Sequence, residues 1–314
     1  MRRLSHSEMK MFSRCKRKWW LRAYRNLEPQ REKKAGAAAL GTRVHSALEI
    51  MYDHSDDAAL AWLDAELEAD LIAYPEQEKE IRADADKARA MVEGYIEWAA
   101  EEGSDEDLEL IGSEQKIATP LPGIEGVELI AKLDQRVRRI STGERLFRDF
   151  KTVDDFSRVG QLPKDTQMKH YHLLEFLMLA AEHEDIPAEQ LDAERTGGAL
   201  YTMLRKVKRT ARAKPPFFME VEVRHNLDTL RAYYKHVAAV AAEIIWTEAR
   251  LNEGADPLTL VYPNPTRDCS WDCEFEPVCT MFDDGSDAEG MVERIYVIGD
   301  HLARYADEAP AETA

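Results

Sequence analysis

Cysteine is scarce in this chain of 314 residues, and long apolar runs are missing altogether. With no stretch of 18 apolar residues and no hydrophobic segment behind Met1, the sequence predicts neither a membrane span nor a signal peptide. Four cysteines without an export signal suggest a reducing, cytoplasmic setting, where a cysteine cluster binds metal more often than it forms disulfides. Internal repeats are absent too. Positive charge is in deficit: 42 Lys and Arg face 60 Asp and Glu, a formal net charge of −18. That balance argues against a polyanionic partner, but its distribution weakens the objection. Residues 1–43 hold thirteen bases against three acids, and residues 53–109 hold twenty acids against four bases. A second basic run, Arg205, Lys206, Lys208, Arg209, Arg212 and Lys214, contains no acid. Screening over about 10 Å at 0.1 M salt separates such runs from distant acids. Taken alone, each run also reads as a solvated face.

The cysteines are unevenly placed. Cys15 stands alone, and Cys269, Cys273 and Cys279 fall within eleven residues. Three local thiols and one distant thiol make a poor disulfide framework but a good four-thiolate metal site, which would staple the two chain ends. Free cysteine also packs as a small hydrophobe, yet the polar, turn-rich segment between Cys269 and Cys279 does not read as core. Spacing alone leaves zinc and a 4Fe–4S cluster equally open.

A 44% hydrophobic fraction supports a substantial core. Ser5 to Glu8 reads as a capping box opening a basic helix that runs through Cys15 towards Tyr24. A second helix at 36–52 places Leu40, Val44, Leu48 and Met51 on one face. Acidic, alanine-rich helices fill 57–102 and break at Pro75, and Gly103–Asp105 is a loop. Period-two patterning then predicts strands at 108–118, 127–140 and 145–153, the last two joined by a turn at 141–144. A helix at 164–182, strands at 198–206 and 217–223, and a helix at 227–251 lead to the cysteine segment. The tail ending Ala-Pro-Ala-Glu-Thr-Ala should fray.

The hairpin carries the chemistry. Centring its turn on Thr142-Gly143 sets Asp134 opposite Lys151 and Arg136 opposite Asp149. Asp134, Asp149 and Lys151 then share a face, with diagonal neighbours roughly 7–8 Å apart. Two carboxylates at that spacing can grip one divalent ion, and Lys151 can hold a water or a phosphate oxygen, as phosphodiester hydrolysis needs. An exposed strand face of paired charges fits the same pattern. Elsewhere, Gly41, His45 and Glu49 share a helix face, as do Gln167 and Tyr171. Glu114 is an optional acidic neighbour. Trp19 and Trp20 among Lys16, Arg17, Lys18 and Arg22 suit stacking on unpaired bases, with one of the two indoles in the core.

Ala131–Val137 and Phe147–Thr152 resemble the two core motifs of the PD-(D/E)XK nucleases, in the RecB-like branch. The Gly-x-x-x-His motif of that branch is matched by Gly41–His45, and its Gln-x-x-x-Tyr motif by Gln167–Tyr171. The cysteine arrangement resembles the iron–sulfur members, such as the CRISPR-associated exonucleases and the AddB nuclease domain. The likeness runs from about Leu4 to Cys279. It implies an α/β fold: a central mixed sheet with flanking helices and a restriction-endonuclease-like core, carrying a helical insertion and a cysteine cap that joins the termini. It implies one nuclease domain over 1–282, with the insertion at 53–104, cluster-binding segments at 1–25 and 265–282, and a partly frayed extension at 283–314. Asp134, Asp149, Lys151, Gln167 and Tyr171 would be catalytic. Mg²⁺ or Mn²⁺ would sit on His45, Asp134, Asp149 and the Phe150 carbonyl. A 4Fe–4S cluster would sit on Cys15, Cys269, Cys273 and Cys279. Lys16, Arg17, Lys18, Trp20, Arg205, Lys206, Lys208 and Arg209 are candidates to contact DNA. The expected activity is exonucleolytic, on single-stranded DNA or single-stranded ends, in recombination, repair or CRISPR-type processing beside a helicase or similar partner. Rival readings are an endonuclease, a nuclease subunit of a helicase–nuclease assembly, a non-catalytic iron–sulfur DNA-binding subunit, and a zinc-stapled protein of unrelated function.

Overall fold

The structure is a computed structural model and describes residues 1–31, 33–103, 105–183 and 185–305. Ser104, inside the expected loop, and the tail expected to fray lie outside the described residues. Strand β1 (Arg2–Ser5) runs into helix α1 (His6–Arg14). Ser5 Oγ accepts the Glu8 N–H at 3.2 Å, the N-cap half of the expected capping box. The Glu8 carboxylate turns inward to Arg2, to Trp19 Nε1 at 3.0 Å and to His301 Nε2 at 3.3 Å. Helix α2 (Lys16–Trp19) and a π-helical turn at Trp20–Tyr24 lead to β2 (Leu27–Pro29). Helices α3 (Ala37–Asp53), α4 (Asp56–Ala73) and α5 (Glu78–Glu101) follow, with Pro75 in the last break. Strands β3 (Leu108–Pro120), β4 (Val127–Arg139) and β5 (Arg145–Val153) precede α6 (Thr166–Glu182) and α7 (Ala188–Glu194). Strands β6 (Gly198–Arg205) and β7 (Phe218–Val223) lead to the long α8 (Leu227–Asn252). Short helices α9 (Pro257–Leu260), α10 (Cys269–Asp272), α11 (Glu276–Cys279) and α12 (Met281–Asp284) come next, then α13 (Ala288–Ile295) and β8 (Tyr296–Ile298).

The strands form a central mixed sheet with flanking helices. The first half of β4 pairs in parallel with β1, from Arg2 opposite Val127 to Ser5 opposite Ile130. Its second half pairs antiparallel with β5, which pairs in parallel with β6, which in turn pairs antiparallel with β7. Strand β3 pairs with β4 as well. The hairpin register differs from expectation by two residues. Gln135 faces Arg148 and Arg136 faces Phe147, because the Arg139 N–H bonds the Glu144 carbonyl and leaves a four-residue turn at 140–143. An even slip keeps every side chain on its face.

The chain divides into two compact units. One comprises Lys33–Gln115 and Leu133–Leu227; the other comprises Met1–Glu32, Lys116–Lys132 and the described residues from Asp228. In the former, Leu40, Val44 and Leu48 of α3, at most 2% exposed, pack with Met91, Val92 and Tyr95 of α5 and with Phe150, Leu204 and Phe218 of the sheet. Each such large side chain contributes about 1.5–3 kcal/mol on burial. In the latter, Phe12 and Trp19 meet edge to face at 4.9 Å, and β2 pairs antiparallel with β8. No described helix is long and apolar enough to cross a membrane.

Candidate active site

Strand β5 alternates, so Asp149 and Lys151 project from one face while Arg148 and Phe150 project from the other. One step beyond the last pair of the hairpin ladder, Asp134 comes opposite Asp149 rather than Lys151. The side chains converge accordingly. Lys151 Nζ lies 2.7 Å from Asp149 Oδ2. Asp134 Oδ2 accepts the Phe150 N–H at 3.2 Å and lies 3.5 Å from His45 Nδ1. Helix α3 brings His45 here; a Cβ at Gly41, one turn earlier, would stand only 3.3 Å from Thr152 Oγ1 of β5, so glycine permits the approach.

Helix α6 supplies the opposite wall. Asp165 caps it by accepting the Gln167 N–H at 2.9 Å, which fixes Gln167 in the first turn. The Gln167 amide then bridges the site. Its Nε2 donates to Asp149 Oδ1 at 3.1 Å and to the Tyr171 hydroxyl at 2.8 Å, while its Oε1 accepts from Lys151 Nζ at 2.9 Å. Tyr171 is 5% exposed, its ring edge-on to Phe147 at 6.0 Å.

Electrostatics set the protonation states. Burial, reinforced by the Asp149 charge, pushes the Asp134 carboxyl up to about 8, against the pull of Lys151 and the Phe150 N–H. Burial also lowers His45, favouring neutral imidazole, although its side chain keeps 35% of its surface. For Lys151, burial opposes the charged form, but Asp149, Asp165 and Asp134 outweigh it and the ammonium pKa is raised. A buried carboxylate pair with one ammonium is a donor set short of positive charge. His45, Asp134, Asp149 and Phe150, the residues expected to hold a divalent cation, are brought together here, with the Phe150 N–H on Asp134 and His45 3.5 Å from Asp134. Even so, among the described residues no three His, Cys, Asp or Glu side chains converge into a finished cage.

Two residues at the site carried little signal in sequence. Asp165 lies 4.0 Å from Lys151, and its position two residues before Gln167 is an N-cap pattern. Glu114 sits at φ +49°, in the left-handed region that costs a non-glycine residue energy, and its charge raises both Asp134 and His45.

The other candidates are the cysteines and the basic runs. Cys15, Cys269, Cys273 and Cys279 are all reduced and partly exposed, and all belong to the unit holding the chain ends. Cys15 Sγ accepts the Asn264 N–H at 3.5 Å, and Cys269 Sγ accepts the Thr266 N–H at 3.3 Å. Burial pushes the Cys279 thiol up to about 11 and raises Cys273; both also feel Cys15.

The expected DNA contacts fare unevenly. Trp20 is 7% exposed, packed edge-on to Phe282 at 5.2 Å, and Trp19 is fully buried, so neither indole offers a stacking face. Arg17 is 1% exposed and is spent within the fold, on the Val261 carbonyl at 2.9 Å, the Cys279 carbonyl at 3.1 Å and Asp283 at 3.0 Å. Lys16 and Lys18 pair with Glu243 and Glu274. Arg205 donates to the carbonyls of Lys214 and Pro216, while Lys206, Lys208 and Arg209 pair with Asp154, Asp86 and Glu97.

Comparison with known proteins bears on the whole chain. No curated protein matches it. A crystal structure of a protein from Eubacterium rectale, described as a candidate exonuclease, superposes with a TM-score of 0.44 at 11% identity, covering 85% of this chain and 87% of that one. A likeness that loose carries no inference about activity. The family model of the PD-(D/E)XK nuclease superfamily, by contrast, matches residues 3–280. With that match over most of its length, the chain belongs to the PD-(D/E)XK nuclease superfamily.

Proposed function

We propose that this nuclease is a metal-dependent DNA exonuclease of the RecB-like, iron–sulfur branch, acting on single-stranded ends. The observation that carries the reading is the Asp134–Asp149 pair, whose burial and mutual repulsion push Asp134 up to about 8 and leave the site wanting a cation. Mg²⁺ or Mn²⁺, when bound, would polarise the scissile phosphate and lower the pKa of the attacking water. Asp134, Asp149 and the Phe150 carbonyl are hard oxygen donors suited to either ion, and neutral His45 adds a nitrogen.

The rest of the chemistry belongs to the chain. Lys151, kept charged by its carboxylate neighbours, donates to a non-bridging phosphate oxygen or holds the water that attacks phosphorus. The Gln167 amide fixes the ammonium and Asp149 together, and the Tyr171 hydroxyl fixes the amide. Hydrolysis forms one P–O bond to water, breaks the P–O bond to the departing nucleotide, and returns a proton to the oxygen that leaves.

The four thiols, one from the N-terminal segment and three within eleven residues, are the ligands this reading gives to a 4Fe–4S cluster. Cys273 and Cys279 hold their protons when no metal is bound, so metal capture drives their ionisation. The backbone N–H groups on Cys15 and Cys269 are of the kind that support sulfur ligands. The cluster would have a structural role, since hydrolysis moves no electrons.

The test uses end-labelled single- and double-stranded DNA and a closed single-stranded circle, with Mg²⁺, Mn²⁺ or EDTA. Linear single strands should be degraded in either metal, circles should survive, and EDTA or Asp149→Ala should reduce cleavage to background. Rapid cutting of circles would make it an endonuclease, and undiminished cleavage by Asp149→Ala would overturn the site.

A further inference from the structure

The C-terminal end of α5 breaks a rule of helix electrostatics. The last turn of a helix presents partial negative charge and favours basic residues, yet α5 has none there. It ends in Glu97, Trp98, Glu101 and Glu102 instead. These residues wall a cleft of about 460 Å³, closed on the other side by Pro216, Phe217 and Phe218. That volume lies within the range of ligand pockets. Its aromatic floor is continuous, with the Trp98 and Phe218 rings 5.7 Å apart and tilted by 33°.

The chain already seats a cation at one edge. The Arg209 side chain lies along α5 over Gly94, where a Cβ would stand 2.6 Å from its Nε, and its guanidinium pairs with Glu97 at 2.6 Å. A side chain at this position would push the guanidinium off the helix. Glu101 and Glu102 are exposed, and no described residue forms an ion pair or hydrogen bond with either carboxylate, although the Glu102 N–H donates to the Trp98 carbonyl at 2.8 Å. Two unanswered carboxylates at a helix C-terminus, beside a tryptophan that lines the cleft, make a site for a second cation: the carboxylates and the helix dipole attract it, and the indole adds cation–π attraction. Nucleic acid would be repelled.

We infer that this cleft docks a basic segment of a partner protein, with an arginine or lysine side chain laid on Trp98 and its charge on Glu101 and Glu102. The acidic excess over residues 53–109 steers such a partner towards α5. This inference does not depend on the nuclease reading, because none of these residues belongs to the Asp134–Asp149 constellation.

The test is fluorescence anisotropy with the full chain and a fluorescein-labelled peptide of alternating arginine and glycine, with citrulline replacing arginine in the control. The arginine peptide should bind, and the citrulline peptide should bind at least about tenfold more weakly. Glu101→Gln combined with Glu102→Gln should weaken binding by at least about tenfold at unchanged melting temperature. Trp98→Leu should weaken it as well, although the net charge stays the same, which separates the cleft from general attraction to an acidic protein. Failure of the arginine peptide to bind, equal affinity in the double glutamine variant, or displacement of the peptide by a single-stranded oligonucleotide would overturn the proposal.

Discussion

Residue by residue, sequence reasoning succeeded where chemistry and spacing travel together and failed where burial decides. Asp134, Asp149 and Lys151 could be placed on one face because strand alternation is a local property. Gln167 and Tyr171 could be paired because they stand one helical turn apart. Trp20 and Arg17 look like nucleic-acid contacts in a basic stretch, yet Phe282 and Asp283, which bury them, lie more than 260 residues away. The histidines of α6 gave no pattern at all, yet the burial of one of them predicts a sensitivity to acid. His172 is fully buried, its ring tilted by 59° against Phe147 at 4.9 Å and close to His225 at 5.6 Å, and its Nδ1 accepts from Arg195 Nη1 at 3.2 Å. Burial first, then Arg195 and His225, holds its pKa down to about 3. The unfolded chain takes up a proton near pH 6.5 while the folded chain does not, so stability is intact above about 6.5 and falls as the pH drops towards about 3. The slope should approach 1.4 kcal/mol per pH unit, as an upper limit. In urea titrations between pH 7 and 4, His172→Gln should start less stable and lose less on acidification. An unchanged slope would assign the acid sensitivity to other groups.

At the scale of elements, the long strands and helices from α3 to α8 were legible to within about two residues, because each carries several periods of its pattern, whereas the helix expected to run through Cys15 towards Tyr24 breaks at Cys15, whose backbone is extended. The short elements were not: β1, β2 and β8 hold four residues or fewer, and pairing rather than pattern defines them. Hairpin register also escaped, since the hydrogen bonds of a four-residue turn determine it and alternation alone does not. Helix α6 shows how one cap serves chemistry. Asp165 holds the N–H of Gln167, and Gln167 holds both Asp149 and Lys151. Asp165→Ala should therefore cost about 1 kcal/mol of stability and lower the cleavage rate by more than that loss explains, because the Gln167 amide is no longer fixed. Asp165→Asn keeps a capping oxygen and should retain most of the rate. Denaturant midpoints and initial rates on labelled DNA separate the two effects, and equal rates for both variants would mean that the cap does not orient the site.

For the molecule as a whole, the sequence suggested that the two chain ends are joined, and named thiols as the joint. The unit that holds those ends joins them through contacts that no motif announces, among them the β2–β8 pairing and Arg17. Arg17, from the N-terminal segment, donates to the carbonyls of Val261 and Cys279 and pairs with Asp283. Losing it strands the buried Val261 carbonyl, at about 1–3 kcal/mol, and two partly buried acceptors besides, whereas the neighbouring Lys16 forms a pair with a half-exposed Glu243 and matters little. Arg17→Met should thus lower the melting temperature by many degrees and speed proteolysis of both terminal segments together, while Lys16→Ala should do neither. The thiols should behave as one joint in the same way. If Cys15, Cys269, Cys273 and Cys279 hold a single cluster, Cys15→Ser and Cys279→Ser should lose iron, colour and stability to similar extents, since metal capture and folding are coupled in such sites. A Cys15→Ser protein with full iron content and the wild-type melting temperature, beside a colourless Cys279→Ser protein, would take Cys15 out of the joint and leave the N-terminal segment held by Arg17, by the Glu8–His301 contact and by the β2–β8 pairing.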